Sequence, residues 1–171
     1  KLVIHANTPS YQGSHITGFS NMTKAMVSYL AESAGPVKKE QVNLIPGFVN
    51  PGDMREIKRL TKQMGISYIM FPDSSGVVDS PMTGEFEMYP AGGTKIPEIV
   101  DSGNSKLTIA LGRFASSDAA EALDKKCKVP ALTLKTPIGI KATDAFIMAL
   151  RRTFVKEVPI AIEEERGQLV D

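Results

Sequence analysis

The run NTPSYQGSHITGFSNM, residues 7–22, concentrates a proline, two glycines, a histidine and several hydroxyls in one short stretch. Ser10 follows Pro9 at the end of an apolar opening, where the ordinary role of a serine is a turn or cap hydroxyl. A nucleophilic serine needs an adjacent base, and the sequence identifies none. His5 and His15 lie ten residues apart with no cysteine near either, which argues against a metal pair built from them. His15 sits among many hydrogen-bonding partners and reads as a structural histidine. Cys127 comes four residues after Leu123, on the apolar side of a helical segment. Lys125, Lys126 and Lys128 would lower its pKa if the thiol were exposed. A small buried hydrophobe is the simpler reading. Glu163, Glu164 and Glu165 occupy consecutive helical positions and read as a solvated face. Asp144, in the first turn of its helix, complements the helix dipole. Neither a G-x-G-x-x-G pattern nor a P-loop is present.

These residues must be positioned by elements that the apolar pattern outlines. Residues 1–4 read as a short strand. From Phe19, apolar residues recur at Met22, Met26 and Leu30, near the helical period, with Thr17 or Ser20 as the cap. Gly35-Pro36 ends that helix, and residues 41–45 form a strand. Asn50 and Pro51 open a second helix whose Met54, Ile57, Leu60 and Met64 share a face, and Gly65 stops it. Residues 66–71 are a continuous apolar run, expected of a strand covered on both faces. Residues 72–94 read as a long loop with one short strand in EFEMY; loops of this length are usually functional or packed on something else. A helix follows over Ile96 to Val100 and a strand over 107–111. Ser116 or Ser117 then caps a helix running through Asp118 to Lys126. Residues 129–134 form a strand, Thr143 caps a helix that buries Phe146, Ile147 and Leu150, and the tail from Ile160 is helical. Strands alternate with helices, so the reading is α/β with crossover connections and a parallel sheet. Ligands of such sheets sit outside the carboxyl ends of the strands, where the 7–18 turn would lie.

With 171 residues, the chain is long enough for one α/β domain with a substantial core. A formal net charge of +1 gives no support to nucleic-acid binding. No apolar run approaches the length of a bilayer span, and no signal peptide opens the chain. One cysteine excludes an internal disulfide framework and an all-cysteine metal site, and it suits a reducing compartment. Both ends read as cut: Lys1 replaces an initiator methionine, and PIAIEEERGQLVD stops without a helix terminator. The expectation is a piece of a longer polypeptide. Surfaces that pack on its neighbours should then be exposed, above all the 72–94 loop and the tail from Ile160.

Several motifs carry a more specific signal, in order and over essentially the whole chain. HANTPSYQGSHITGFSNM, NLIPGFVNPGDMREIKRL, FPDSSGVVDSPMTGEFEMYPAGGT, TPIGIKATDAFIMAL and EEERGQLVD together resemble the β subunits of nitrogenase molybdenum–iron proteins. The wording is nearest the shorter clostridial-type subunits. The resemblance implies a Rossmann-like or flavodoxin-like sandwich of the nitrogenase component 1 type. Residues 1–158 would be the central domain of the subunit and residues 159–171 the start of a linker helix. It implies participation, with the α subunit, in reducing dinitrogen to ammonia, with no catalytic residue in this piece and no activity alone. The cofactor implied is the iron–sulfur P-cluster, shared between α and β subunits, whose cysteine ligands lie upstream of Lys1. No cluster-ligand role carries onto Cys127.

The serine of the family's T-P-S motif falls on Ser10, implying one ligand to that cluster in the full complex; none is expected in the isolated fragment. Tyr11, Gly13 and Ser14 would position it. Asp171 matches the first acidic residue after the E-R-G motif, which in the family helps hold a structural metal between two β subunits. Implied partners are the α subunit, a second β subunit and the nitrogenase iron protein, in the cytoplasm, with no nucleic acid and no membrane. Three other readings stand beside this one: a paralogous scaffold for cofactor assembly, an alternative-metal nitrogenase β subunit, and a free-standing flavodoxin-like binding module.

Overall fold

Four short apolar runs pair side by side as β1 (Lys39–Ile45), β2 (Ser67–Met70), β3 (Ser105–Leu111) and β4 (Ala131–Leu134). The computed structural model describes residues 2–88 and 90–170. All pairings are parallel, in the order β2-β1-β3-β4. The helices are α1 (His15–Leu30), α2 (Pro51–Gln63), α3 (Ile96–Asp101), α4 (Arg113–Cys127), α5 (Ile140–Phe154) and α6 (Ile160–Gln168). Alternate strand residues feed two cores. Val42, Leu44, Leu107, Ile109 and Leu111 pack on α2 and α5 through Met54, Ile57, Phe146 and Leu150. Ile45, Ile69 and Ala110 pack on α1, α3 and α4 through Val27, Ile99, Ala120 and Leu123. Helices on both faces explain why the strands read as continuous apolar runs rather than alternating ones. β2 is an edge strand, yet Ile69 faces one core and Met70 the other.

The chain passes from β1 to β2 through α2 on one face, and from β3 to β4 through α4 on the other. Opposite directions across the sheet on opposite faces are what a constant crossover hand requires. The order therefore reverses between β1 and β3, and the crevice at their carboxyl ends is where a parallel sheet presents ligands.

A polar knot fixes these two central strands. Asn43, Ser102, Ser105 and Thr108 are all fully buried. Asn43 Nδ2 donates to Ser102 O at 2.8 Å and to Thr108 Oγ1 at 3.1 Å. Ser105 Oγ donates to Asn43 Oδ1 at 2.7 Å. One amide thus joins β1, β3 and the 3-10 turn that enters β3.

Several expected boundaries move. Residues 2–4 form no strand, because no neighbouring strand is there to pair with them; Val3 is 78% exposed. α1 starts at His15 rather than Phe19, with Ser14 at its cap, so Thr17 and Ser20 lie inside the helix. α4 and α5 start directly after Gly112 (φ +90°) and Gly139 (φ +74°). Glycine supplies the backbone turn there, and the hydroxyls assigned to capping bond backward instead. Ser116 Oγ donates to Leu111 O at 2.9 Å, Ser117 to Arg113 O, and Thr143 Oγ1 to Pro137 O at 3.2 Å. No strand forms over the described part of EFEMY, residues 85–88, where Phe86 is 88% exposed. The 72–94 loop is instead pinned at its ends. Lys58 Nζ pairs with Asp73 at 2.7 Å, Arg55 pairs with Asp79, and Thr94 Oγ1 donates to Met70 O at 2.7 Å.

The acidic face of α6 is not simply solvated. Ile162 is buried in the core, which lowers the helix onto α2 and α5. Arg59 then donates to both Glu165 oxygens, at 2.8 and 2.7 Å. Asp144 likewise does more than face a dipole: it accepts two bonds from Arg166, at 2.8 and 3.0 Å. Hydrogen bonding by Arg59 holds the Glu56 carboxyl below its ordinary value of 4.5. A lowered carboxylate contributes stability above that ordinary value and loses it as pH falls through the folded one.

Asn43→Ala removes partners from Ser102 O and Ser105 Oγ and should cost about 2–3 kcal/mol in urea unfolding. Arg59→Ala should cost about 1 kcal/mol or less, since the pairs are half-exposed, but should speed amide exchange selectively in α6. Lowering the pH from 6 to about 3.5 should remove the Glu56–Arg59 contribution to urea stability in the parent, and that part of the loss should be absent in Arg59→Ala.

Candidate functional site

α1 precedes β1 and runs against it, so its first turn returns to the carboxyl ends of the strands. Phe48, three residues past β1, marks that end. His15 meets its ring edge-on at 5.2 Å and Phe19 at 5.5 Å between centroids. The 7–14 loop therefore lies at the sheet reversal, although the strand expected to lead into it is absent. Gly47 marks how closely the chain passes there: a Cβ on it would lie 2.8 Å from Leu111 O, and its φ is +78°.

The loop is tied at both ends. Asn21 Nδ2 donates to Asn7 O at 2.9 Å, and Ser14 N–H donates to Thr17 Oγ1 at 3.3 Å. Between them the chain turns through two left-handed residues, Tyr11 at φ +62° and Gly13 at φ +75°. A Cβ on Gly13 would lie 2.6 Å from Thr17 Oγ1, the atom that accepts the Ser14 bond. Glycine is thus required for φ and for space. Tyr11 is fully exposed, and Ser10 is exposed with no hydrogen bond to its hydroxyl among the described residues. A cavity of about 290 Å³ lies beside the loop, lined by Pro9, Gln12, Gly13 and Asn21.

Ser10, Tyr11, Gly13 and Ser14 are therefore brought together on one turn. Among the described residues no histidine or carboxylate bonds the Ser10 hydroxyl, so none serves as a base to make it a nucleophile. What the turn offers is a fixed, unpartnered oxygen donor at the surface. A single serine fits as one ligand to a metal group and no more. Among the described residues no cluster of three or more His, Cys, Asp or Glu is placed to hold a metal. Asp171 lies outside the described residues.

Cys127 sits at the other end of α4, 4% exposed, and burial pushes its thiol pKa up despite Lys126 and Lys38. Lys38 Nζ reaches Cys127 O at 2.7 Å and Gly103 O at 2.8 Å, closing the amino end of the sheet. Its role is packing, as the sequence indicated. Sequence reasoning missed the contributions of Phe48, Asn21 and Phe114. Phe48 and Phe114 are apolar residues left 61% and 82% exposed, but only the fold shows that Phe48 packs on His15 and Phe19 and that Phe114 lines a cavity with Ser14 and Asn21.

Replacing Gly13 with alanine should unseat Thr17 and fray the first turn of α1, at a cost of about 1–2 kcal/mol. Gly18→Ala, inside the helix with nothing near its Cβ, should instead stabilise by about 0.4–1 kcal/mol. Amide exchange over residues 14–18 separates the two outcomes.

Comparison with known proteins gives these residues a context. The family model for nitrogenase component 1 type oxidoreductases matches residues 1–171. The molybdenum–iron protein β chain of Clostridium pasteurianum is 63% identical over 171 residues, all of this chain and 37% of that relative. The Nostoc sp. molybdenum–iron β chain is 42% identical over 168 residues, 97% of this chain and 32% of the relative. An iron–iron protein β chain from Rhodobacter capsulatus is 38% identical over 171 residues, covering 99% and 36%. The solved structure of nitrogenase Cp1 at pH 6.5 superposes with a TM-score of 0.96 at 63% identity, over all of this chain and 37% of that one. The chain thus spans about a third of the length of the relatives it matches.

Proposed function

The chain belongs to the nitrogenase component 1 type oxidoreductase family, and from that premise we propose that it is the part of a β subunit that presents a serine ligand to the P-cluster. In the assembled protein, with the α subunit, a second β subunit and the iron protein, it serves the reduction of dinitrogen to ammonia in the cytoplasm. This segment holds no group for the substrate and is inactive alone. Residues 1–158 would be the supporting domain, and residues 159–171 would begin the linker to the next.

The observation that carries this reading is the unpartnered, exposed Ser10 hydroxyl on a loop tied down at Asn7 and Ser14. An iron–sulfur cluster bound there supplies electron relay, its potential set by ligands and surroundings. Ser10 would give up its hydroxyl proton to ligate, and its alkoxide, a harder donor than sulfide or thiolate, would favour more oxidised iron. Tyr11 and Gly13 hold the turn that aims the oxygen, and Ser14 fixes it to α1. Cysteine ligands come from outside this chain.

The match to an iron–iron β chain as well as molybdenum–iron ones keeps an alternative-metal nitrogenase as the second reading.

The test uses the full-length parent with its α partner, prepared without oxygen and supplied with the iron protein, MgATP and reductant. Ammonia from dinitrogen is expected; intact clusters without ammonia would instead favour a cofactor-assembly scaffold. In the same assembly, the oxidised cluster couple should fall by about 59 mV per pH unit, as one proton per electron demands. Ser10→Ala should abolish that slope, and an unchanged slope would remove Ser10 from the cluster.

A further inference from the structure

We propose that the cavity between α1 and α4 is a socket for an arginine side chain of the α-type partner subunit. The cavity holds about 380 Å³ and is lined by Thr17, Ser20 and Asn21 of α1 and by Phe114 and Asp118 of α4. Ser20 is 4% exposed, and its Oγ has no hydrogen-bond partner. Among the described residues it is the one buried side-chain oxygen or nitrogen left so. Folded proteins pair the large majority of buried side-chain polar atoms, so an orphan lining a cavity points to a missing partner.

The rest of the lining defines what that partner is. Asp118 is exposed and makes no ion pair among the described residues. It is a carboxylate, able only to accept. Ser20 can also accept. Phe114 presents an open ring, 82% exposed, at the same cavity. Two acceptors beside a bare aromatic face match a planar cation with several donors, which is a guanidinium. An anion is the weaker fit. The helix N-termini at this end carry about half a charge each, against the full negative charge of Asp118. Thr17 Oγ1 has already taken the Ser14 N–H.

Position selects the source of the arginine, and here the inference rests on the proposed function. Thr17 and Asn21 line both this cavity and the one beside the Ser10 loop. The socket therefore continues the face on which Ser10 would meet a cluster shared with the α subunit.

The test measures α–β association of the full-length parent by salt-induced dissociation. Asp118→Lys should weaken association at least a hundredfold, Asp118→Asn about tenfold and Phe114→Ala several-fold. Melting of the unassembled variants should stay at the parent value. Asp124→Lys, an exposed acid farther along α4, should have little effect. Unchanged association in the Asp118 variants would overturn the proposal. So would an equal loss in Asp124→Lys, which would mean a general charge effect. Lower melting with association intact would mean that the chain's own continuation fills the socket, and would overturn it too. Ser10 ligation is read separately from the pH slope of the cluster couple, so either inference can fail alone. A parent that binds no α-type partner would sink both.

Discussion

The amide of Asn43 is the contact on which the rest of the fold depends. It lies at the centre of the sheet, on β1 and against β3, where the strand order reverses. Its donors fix Ser102 and Thr108, and its oxygen receives Ser105. A fully buried amide is stabilising only when its partners are in place, because each unpaired atom carries a full desolvation cost. β1 and β3 are thereby held in one register, and that register decides where their carboxyl ends fall. Apolar packing alone would tolerate a slip of two residues more readily, since Leu, Ile and Val are interchangeable in shape to a first approximation.

The candidate site inherits its precision from that register. Gly47 passes within van der Waals distance of Leu111 at the end of β3, and Phe48 emerges just beyond to receive His15 and Phe19. The first turn of α1 is therefore seated at the sheet reversal. The Ser10 turn, bonded to α1 at Ser14 and Asn21, is seated with it. Rigid elements thus hold a loop whose tip carries two residues at positive φ, the usual arrangement for a functional turn.

Two other regions show how the domain meets its surroundings. The 72–94 loop is anchored at its ends by Lys58, Arg55 and Thr94, while Met82, Phe86 and Met88 stand exposed along its middle. Apolar side chains held out on a pinned loop suit a contact surface better than a solvent-facing one. α6 has the opposite character. Ile162 enters the core and Arg59 and Asp144 grip the helix from two neighbours, so the start of the proposed linker is part of the domain's own packing.

The sequence by itself determined the α/β class, the strands at 41–45, 107–111 and near 66–71, and the face of α2, because continuous apolar runs and a 3.6-residue period are local signals. Pro51 and Gly65 likewise bound α2 through backbone chemistry that needs no neighbour. The motif order identified the family. What only the tertiary structure decided depends on partners far along the chain. LVI at the opening has strand propensity but no strand beside it. Ser116, Ser117 and Thr143 could cap helices, but Gly112 and Gly139 had already made those turns. Glu165 read as solvated and Asp144 as a complement to its helix dipole until Ile162 brought α6 down onto α2 and α5. Ser20 read as a helix cap, and nothing in the sequence marked it as an orphan, since an orphaned hydroxyl is defined by the absence of neighbours, and those are set by how two helices cross.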